Sequence, residues 1–172
     1  MQLVNYSQLY LNDTVNGNGF RTSIFICGCS KTPKCKGCWN KNLWLKTFGN
    51  KYTEETKKQI IDNLAKPYIK GLSVLGGEPS DNLEDGQLLD LLKTAKELYP
   101  EKTIYIWSGY TFENLIKDKL KLEMLKYCDM LRDGEFIEEL KDINQYLQGS
   151  TNQRCIDVKE SLKQNKIVLW EV

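Results

Sequence analysis

Short apolar runs alternate along the chain with segments in which apolar residues recur every three or four positions. The runs predict strands over 20–27, 71–75, 103–107 and 128–131, and the segment 166–170 also has strand character. The run 103–107 is apolar on both faces, which suits a strand that is covered on both sides of a parallel sheet.

Segments with a helical period lie between these runs. Thr53 is the predicted N-cap of a first helix, whose apolar positions are Ile60, Ile61 and Leu64. A second helix is predicted to end before Pro100, and its apolar face comprises Leu88, Leu91, Leu92, Ala95 and Leu98. Thr111 is the expected cap of a third helix.

The alternation of strands and helices favours βα units and the α/β class. A chain of 172 residues fits a single domain over 1–172. Because a complete eight-stranded barrel typically needs about 250 residues, we expect an open sheet or, preferably, an incomplete (partial) TIM-type βα barrel with parallel strands. Ligands of such sheets bind at the carboxyl ends of the strands, where the cysteine-rich loop 27–40 falls.

Charge and composition exclude several classes of protein. Lys and Arg number 24 against 23 Asp and Glu, so the formal net charge is +1, without the basic excess of a nucleic-acid-binding protein. The longest apolar stretch, 167–170, is far shorter than the roughly 18 residues that a membrane span needs. No secretory signal is visible at the N-terminus, so we expect a cytoplasmic protein with no membrane partner.

Histidine is absent, whereas cysteine occurs six times. In a cytoplasmic protein, several cysteines more often bind metal or take part in catalysis than form disulfides. Without imidazole, a metal would be held by sulfur or oxygen.

Four of the six cysteines lie within the segment 27–38. Four thiolates could form a tetrahedral zinc site, but Cys27 and Cys29 should point to opposite sides of a strand end. A second arrangement has Cys27 in the core and three ligands, Cys29, Cys35 and Cys38, for a 4Fe-4S cluster with one open iron. The spacing of the cysteines alone is also compatible with free thiols that bind no metal.

Six segments, in order along the chain, resemble one known family. They are 13–21, the cysteine loop with Cys35-Lys36-Gly37-Cys38-Trp39-Asn40, the turn Gly76-Gly77-Glu78-Pro79, and the segments 107–113, 133–136 and 149–154. On these segments the sequence resembles the activating enzymes of anaerobic (class III) ribonucleoside-triphosphate reductases, within the radical S-adenosylmethionine (radical SAM) superfamily. The loop departs from the superfamily's C-x3-C-x2-C pattern, because five residues separate Cys29 from Cys35. Cys27 therefore stays an alternative first ligand.

The resemblance implies a radical SAM activase domain with two cofactors, a 4Fe-4S cluster on Cys29, Cys35 and Cys38, and S-adenosylmethionine. A 5′-deoxyadenosyl radical from S-adenosylmethionine would abstract hydrogen from a glycine of the large catalytic subunit of the reductase. An electron donor such as flavodoxin or ferredoxin is the second implied partner. No nucleic acid is expected as a partner.

The resemblance also suggests residues that bind S-adenosylmethionine, namely Gly37, Trp39, Asn40, Gly76, Gly77, Glu78 and Ser108. The two glycines of the turn would let the backbone approach the methionine moiety, and Glu78 would lie near its amino group or cap a helix. Trp39 would stack near the adenine or pack in the core beside Trp44, and Ser108 would reach the ribose.

Other residues have less specific expectations. Arg21 and Arg154 are expected at the surface or in contact with the partner. Cys128 and Cys155 are expected to be buried, inert thiols. The alternatives to the activase are an activase for another glycyl radical enzyme, a 7-carboxy-7-deazaguanine synthase, and a non-enzymatic zinc-binding adaptor that uses all four cysteines of the loop.

Overall fold

A computed structural model describes residues 4–171 and places them in one seven-stranded sheet with helices packed against it. The strands are β1 Asn5–Asp13, β2 Phe20–Ile26, β3 Asn50–Lys51, β4 Ile69–Gly76, β5 Thr103–Trp107, β6 Met130–Asp133 and β7 Arg154–Asp157. The helices are α1 Glu54–Leu64, α2 Gln87–Leu98, α3 Phe112–Leu115, α4 Lys119–Tyr127 and α5 Val158–Gln164. Residues 1–3 lie outside the described residues. They belong to the N-terminal segment in which no secretory signal is visible, the observation on which the expectation of a cytoplasmic protein rests.

The sheet has the strand order β3-β1-β2-β4-β5-β6-β7. The central strands β2, β4, β5 and β6 run parallel, whereas β1, β3 and β7 are antiparallel to their neighbours. The α/β class is confirmed, but the expectation of parallel strands throughout is wrong at both edges. A parallel pair needs a crossover, usually a helix, and the connection 134–153 between β6 and β7 contains only a 3₁₀ turn. The sheet is not closed, and the partial barrel is not confirmed.

Alternate strand residues point to opposite faces of the sheet. On one face, fully buried residues such as Ile24, Val74 and Ile106 pack with the helices in the larger core. On the other face, a smaller cluster around Tyr105 and Trp107 is covered by side chains from the last part of the chain, Tyr146, Leu147 and Trp170.

Two predicted elements match the structure closely. Thr53 forms a capping box with Thr56 at the start of α1, and β5 spans the predicted run 103–107. Helix α2 ends before Pro100, although Leu98 on its predicted apolar face is exposed. No helix in residues 4–171 combines the length and apolar character needed to cross a membrane.

Other predicted elements differ. The segment 166–170 is not a strand, because only Leu169 bridges to Ile156, and β6 begins at Met130 rather than at Cys128. Strands β1 and β7 were not predicted. Thr111 precedes α3 but makes no capping hydrogen bond with its side chain.

Arg21 is buried, with 1% of its surface exposed, so the expectation of a surface position is wrong. Its guanidinium donates to Ser73 Oγ (2.7 Å), to Leu72 O (2.9 Å) and to both Oγ1 and O of Thr103 (2.9 Å each). It also lies 3.8 Å from the centre of the Tyr105 ring. The cause is its position in β2, since its side chain points between β4 and β5 rather than to solvent.

Candidate functional site

The carboxyl ends of the four parallel strands form one rim of the sheet, as expected. Strand β2 leads into the cysteine loop, β4 into Gly77-Glu78-Pro79, β5 into Ser108-Gly109-Tyr110, and β6 into Gly134-Glu135. The segment 149–154 reaches the same rim because β7 is antiparallel to β6. The rim therefore gathers five of the six segments on which the sequence resemblance rests, whereas the segment 13–21 lies at the opposite end of β2.

The cysteines of the loop divide into one buried residue and three accessible ones. Cys27 is fully buried, and burial raises the pKa of its thiol to about 11. Cys29, Cys35 and Cys38 are half-buried free thiols, and the amide of Cys38 donates to the carbonyl of Cys35 (3.3 Å). This division agrees with the arrangement that places Cys27 in the core and leaves three thiols for a metal centre.

The donor set fits an iron–sulfur cluster in its chemistry. Burial raises the pKa of the Cys29 and Cys35 thiols, so ligation would displace a proton from each. Within residues 4–171, however, no three Cys, Asp or Glu side chains lie close enough together to hold a metal ion. The ligand roles of Cys29, Cys35 and Cys38 therefore stay predictions.

Residues after the Gly-Gly-Glu-Pro turn hold the start of the cysteine loop. Asn82 Nδ2 donates to the carbonyls of Gly28 (3.2 Å) and Glu78 (2.9 Å), and the amide of Ser30 donates to Asp81 Oδ2 (2.7 Å). These contacts lie on both sides of Cys29. Asp81 and Asn82 were not among the residues predicted for the site, although they lie two and three positions after the Gly-Gly-Glu-Pro turn.

Gly76 and Gly77 are required by the packing of the chain on itself. A Cβ at Gly76 would overlap the backbone of Ile26, and one at Gly77 would overlap the carbonyls of Leu43 and Gly28. Gly76 also has a φ of +130°, which residues with a side chain rarely adopt. A close approach of this turn to a ligand stays a prediction.

Glu78 is buried beneath the rim and caps the 3₁₀ turn Pro79–Asp81. Its carboxylate accepts from the amide and hydroxyl of Ser80 (3.1 and 2.7 Å), from Ser108 Oγ (2.9 Å) and from the amide of Gly109 (2.7 Å). Burial raises the pKa of Glu78 despite these donors. The capping interpretation is confirmed, and Ser108, itself buried, bonds to Glu78; its contact with a ribose stays a prediction.

A cavity of about 610 Å³ lies on the rim beside the cysteine loop, and we call it the rim cavity. Four of the segments that carry the resemblance contribute to its wall, represented by Lys31, Tyr110, Gly134 and Asn152. A fifth segment reaches it indirectly, because Glu78 accepts from the amide of Gly109 in the wall.

The charged side chains of the rim cavity are paired. Arg154 donates to Asp133 (3.0 and 2.5 Å) and to Glu113 (3.1 and 2.8 Å), which lowers the pKa of Glu113. Lys31 forms an ion pair with Glu135 (2.9 Å). Arg154 is thus a partly buried member of an ion-pair network rather than a free surface residue.

The segment that follows β6 covers the outside of the cysteine loop. Besides the Lys31–Glu135 pair, Lys36 bonds to Glu139 (3.0 Å), and Phe136 contacts Trp39 edge to face at 6.1 Å between ring centres. Trp39 is otherwise 67% exposed, so the interpretation that it packs in the core beside Trp44 is wrong. Its stacking on an adenine stays a prediction.

Gly37 and Asn40 take part in the same loop. Gly37 has a φ of +70° and lies against the side chain of Glu138, where a Cβ would come within 2.9 Å of the carboxylate. Asn40 Nδ2 donates to the carbonyl of Gly76 at 3.5 Å. Both residues shape the loop, and their contact with a cofactor is untested.

A second cavity, of about 330 Å³, lies between β1 and the end of the cysteine loop. Ser7 and Gln8 of β1 form one wall, Phe25 and Phe48 contribute aromatic rings, and residues 38–43 form the other wall. We call it the edge groove.

Cys128, directly after α4, and Cys155, in β7, are buried as expected, and neither side chain lines the rim cavity. Burial raises the pKa of both thiols, which is consistent with inert side chains.

Known proteins resemble this chain over most of its length. A family model described as a 4Fe-4S single cluster domain matches residues 15–156. The anaerobic ribonucleoside-triphosphate reductase-activating protein of Enterobacteria phage T4 is 38% identical over 151 residues, which cover 88% of this chain and 92% of the relative. The proteins of the same name from Vibrio cholerae serotype O1 and Escherichia coli K12 are 40% and 34% identical over 152 residues, 87% of this chain and 96% of each relative.

Proposed function

The chain belongs to the family of anaerobic ribonucleoside-triphosphate reductase-activating proteins and carries its 4Fe-4S single cluster domain, and we propose that it activates the large catalytic subunit of such a reductase by radical SAM chemistry. The observation that carries the proposal is that five resemblance segments meet at one rim of the sheet, where the rim cavity adjoins the loop that bears three half-buried cysteines. The four parallel strands beneath the rim are the part of the sheet that we interpret as a partial TIM-type barrel.

In this proposal, Cys29, Cys35 and Cys38 hold the cluster, and Cys27 stays in the core. A reduced cluster held there would supply the electron for cleavage of S-adenosylmethionine to methionine and a 5′-deoxyadenosyl radical, which would take a hydrogen atom from a glycine of the reductase. Flavodoxin or ferredoxin in the cytoplasm is the proposed source of the electron. Asp81 and Asn82 position the backbone on either side of Cys29 through their hydrogen bonds.

The rim cavity is the proposed binding site of S-adenosylmethionine. Its volume of about 610 Å³ lies within the range of small-molecule sites, roughly 300–1,000 Å³. The polar side chains of Thr111, Asn114 and Asn152 in its wall provide hydrogen-bonding groups for a ribose and an adenine. Glu78 lies beneath the cavity wall and supports it, because its carboxylate accepts hydrogen bonds from Ser108 and Gly109 in the turn that forms part of this wall.

The proposal is tested by anaerobic reconstitution with iron and sulfide, followed by reduction and an assay for 5′-deoxyadenosine. We expect about four irons per chain, formation of 5′-deoxyadenosine, and a glycyl radical signal when the anaerobic ribonucleoside-triphosphate reductase is added. A protein that holds zinc and forms no 5′-deoxyadenosine would instead be a zinc-binding adaptor. Formation of 5′-deoxyadenosine without a radical on the reductase would point to an activase for another enzyme or to a 7-carboxy-7-deazaguanine synthase.

Asn82→Ala is expected to speed the loss of iron to a chelator about tenfold, the lower end of the effect of outer-shell partners on metal affinity. The reason is that the carbonyls of Gly28 and Glu78 lose the side-chain amide that bonds to both of them, so the backbone before Cys29 is held less firmly. The matched control is Asn144→Ala, because Asn144 is exposed and its side chain bonds only to the nearby Asp142. Equal rates of iron loss in the two variants would show that Asn82 does not position the loop.

A further inference from the structure

The two edges of the sheet differ in how they are covered. At the β7 edge, the C-terminal segment bonds to the strand, since Trp170 N donates to Cys155 O and Asp157 N to Val168 O (2.9 Å each). At the other edge, β3 pairs with β1 only at Asn5 and Tyr6. Among residues 4–171, no strand pairs with the outer side of β1 beyond that point.

The uncovered part of the β1 edge is short and well defined. It runs over 7–10, because the regular register of β1 on β2 breaks between Tyr10 and Asp13. Four residues of extended backbone span about 13 Å at 3.3 Å per residue. Backbone donors and acceptors on such an edge are free to pair with an added strand.

The edge groove begins where this free edge begins, since Ser7 and Gln8 belong to both. Its lining consists mainly of amide and aromatic side chains, and its one charged residue is Lys41. The rim cavity, by contrast, has five charged residues in its wall. Aromatic rings, amides and a free strand edge together suit an extended, uncharged peptide rather than an anionic ligand.

The position of the groove connects it to the proposed reaction centre. Cys38 lines the edge groove, whereas Lys31 of the same loop lines the rim cavity. A peptide in the groove would therefore lie against the loop that we propose to hold the cluster.

We propose that the edge groove and the free edge of β1 bind an extended segment of the large reductase subunit, which adds to the sheet as a further strand. The identity of this partner rests on the proposed function. Backbone pairing along 7–10 supplies affinity, and the Phe48 and Phe25 rings contact the side chains that point into the groove. The docked segment anchors the subunit beside the cysteine loop, and a different part of the subunit brings the target glycine to the rim cavity.

The first test compares two phenylalanines of similar exposure. Phe48 lines the groove and is 40% exposed, whereas Phe20 is 47% exposed at the opposite end of β2 and packs edge to face on Tyr68. We expect Phe48→Ala, in the reconstituted protein, to weaken binding of the large reductase subunit at least about tenfold, as for an aromatic interface anchor. Phe20→Ala is expected to bind within about twofold of the unaltered protein. Equal binding by both variants, whether weakened or not, would overturn the proposal.

The second test measures amide hydrogen exchange in the unaltered protein with and without the large reductase subunit. Exchange at residues 7–10 is expected to slow in the complex, whereas exchange at the β7 edge, already covered by the C-terminal segment, is expected to stay unchanged. Unchanged exchange at 7–10 in the complex would exclude strand addition, as would a failure of the subunit to bind.

A separate measurement distinguishes this inference from the proposed function. Phe48 does not line the rim cavity, so Phe48→Ala is expected to form 5′-deoxyadenosine at the unaltered rate when the reductase is absent. If the unaltered protein forms none, the proposed function fails, while the binding and exchange measurements still decide whether the edge of β1 receives the subunit.

Discussion

Replacing any one of Cys29, Cys35 and Cys38 by alanine is expected to abolish the formation of 5′-deoxyadenosine. The three side chains are the half-buried thiols of the loop, and a cluster that lacks one of three protein ligands is not retained with a single open iron. We expect the rate to fall by more than about 100-fold, beyond the 10- to 100-fold effect of removing an outer-shell partner. The measurements are iron content, the visible absorbance of the reconstituted protein, and the rate of 5′-deoxyadenosine formation.

Cys27→Ala is the matched control for these three variants. Its thiol is fully buried and its pKa is raised to about 11 by burial, so the replacement removes only one sulfur atom from the core. We expect the iron content and rate of this variant to equal those of the unaltered protein. If Cys27→Ala lost its iron while Cys29→Ala kept full activity, Cys27 would be the first ligand of the cluster.

Arg21→Met is expected to lower the free energy of unfolding by about 3 kcal/mol, because each buried acceptor left without a donor costs about 1–3 kcal/mol. The carbonyls of Leu72 and Thr103 lose the guanidinium donor in this variant. Arg21→Lys is expected to lose nearly as much, since an ammonium group cannot reproduce the planar fork of donors. The check is urea unfolding, followed by circular dichroism under anaerobic conditions.

Lys58→Met serves as the control for Arg21→Met. Lys58 is a cation whose side chain is 66% exposed and pairs with Asp62 one turn along α1, and its replacement is expected to leave the unfolding midpoint unchanged. A midpoint for Arg21→Met equal to that of Lys58→Met would mean that the buried hydrogen bonds of Arg21 do not stabilise the sheet.

The strands and helices that the sequence predicts well are those with a strong local signal. The apolar run 103–107 is buried on both faces as β5, and Thr53 caps α1. Strand β1 was missed because most of its outer side has no neighbouring strand and polar residues interrupt its sequence, so that it lacks a long apolar run. Strand β7 has four residues, two of them charged, and it is fixed by antiparallel pairing with β6 rather than by its own composition.

The location of the site could be predicted because the carboxyl ends of parallel strands share one rim. The surroundings of single residues could not, since they depend on which distant segments pack together. Arg21 is buried because Ser73 and Thr103 on neighbouring strands accept its hydrogen bonds. Trp39 is exposed because it lies on the loop, where the ring of Phe136 and the ammonium of Lys141 lie near it without enclosing it.

The cover of the cysteine loop also sets an order of events during protein synthesis. The ion pair between Lys31 and Glu135 joins residues 104 positions apart, and that between Lys36 and Glu139 joins residues 103 apart. During synthesis, the ribosome adds the four loop cysteines to the nascent chain long before it adds these glutamates. The loop thus first emerges without its outer wall, so the wall closes over it only when most of the polypeptide has been made.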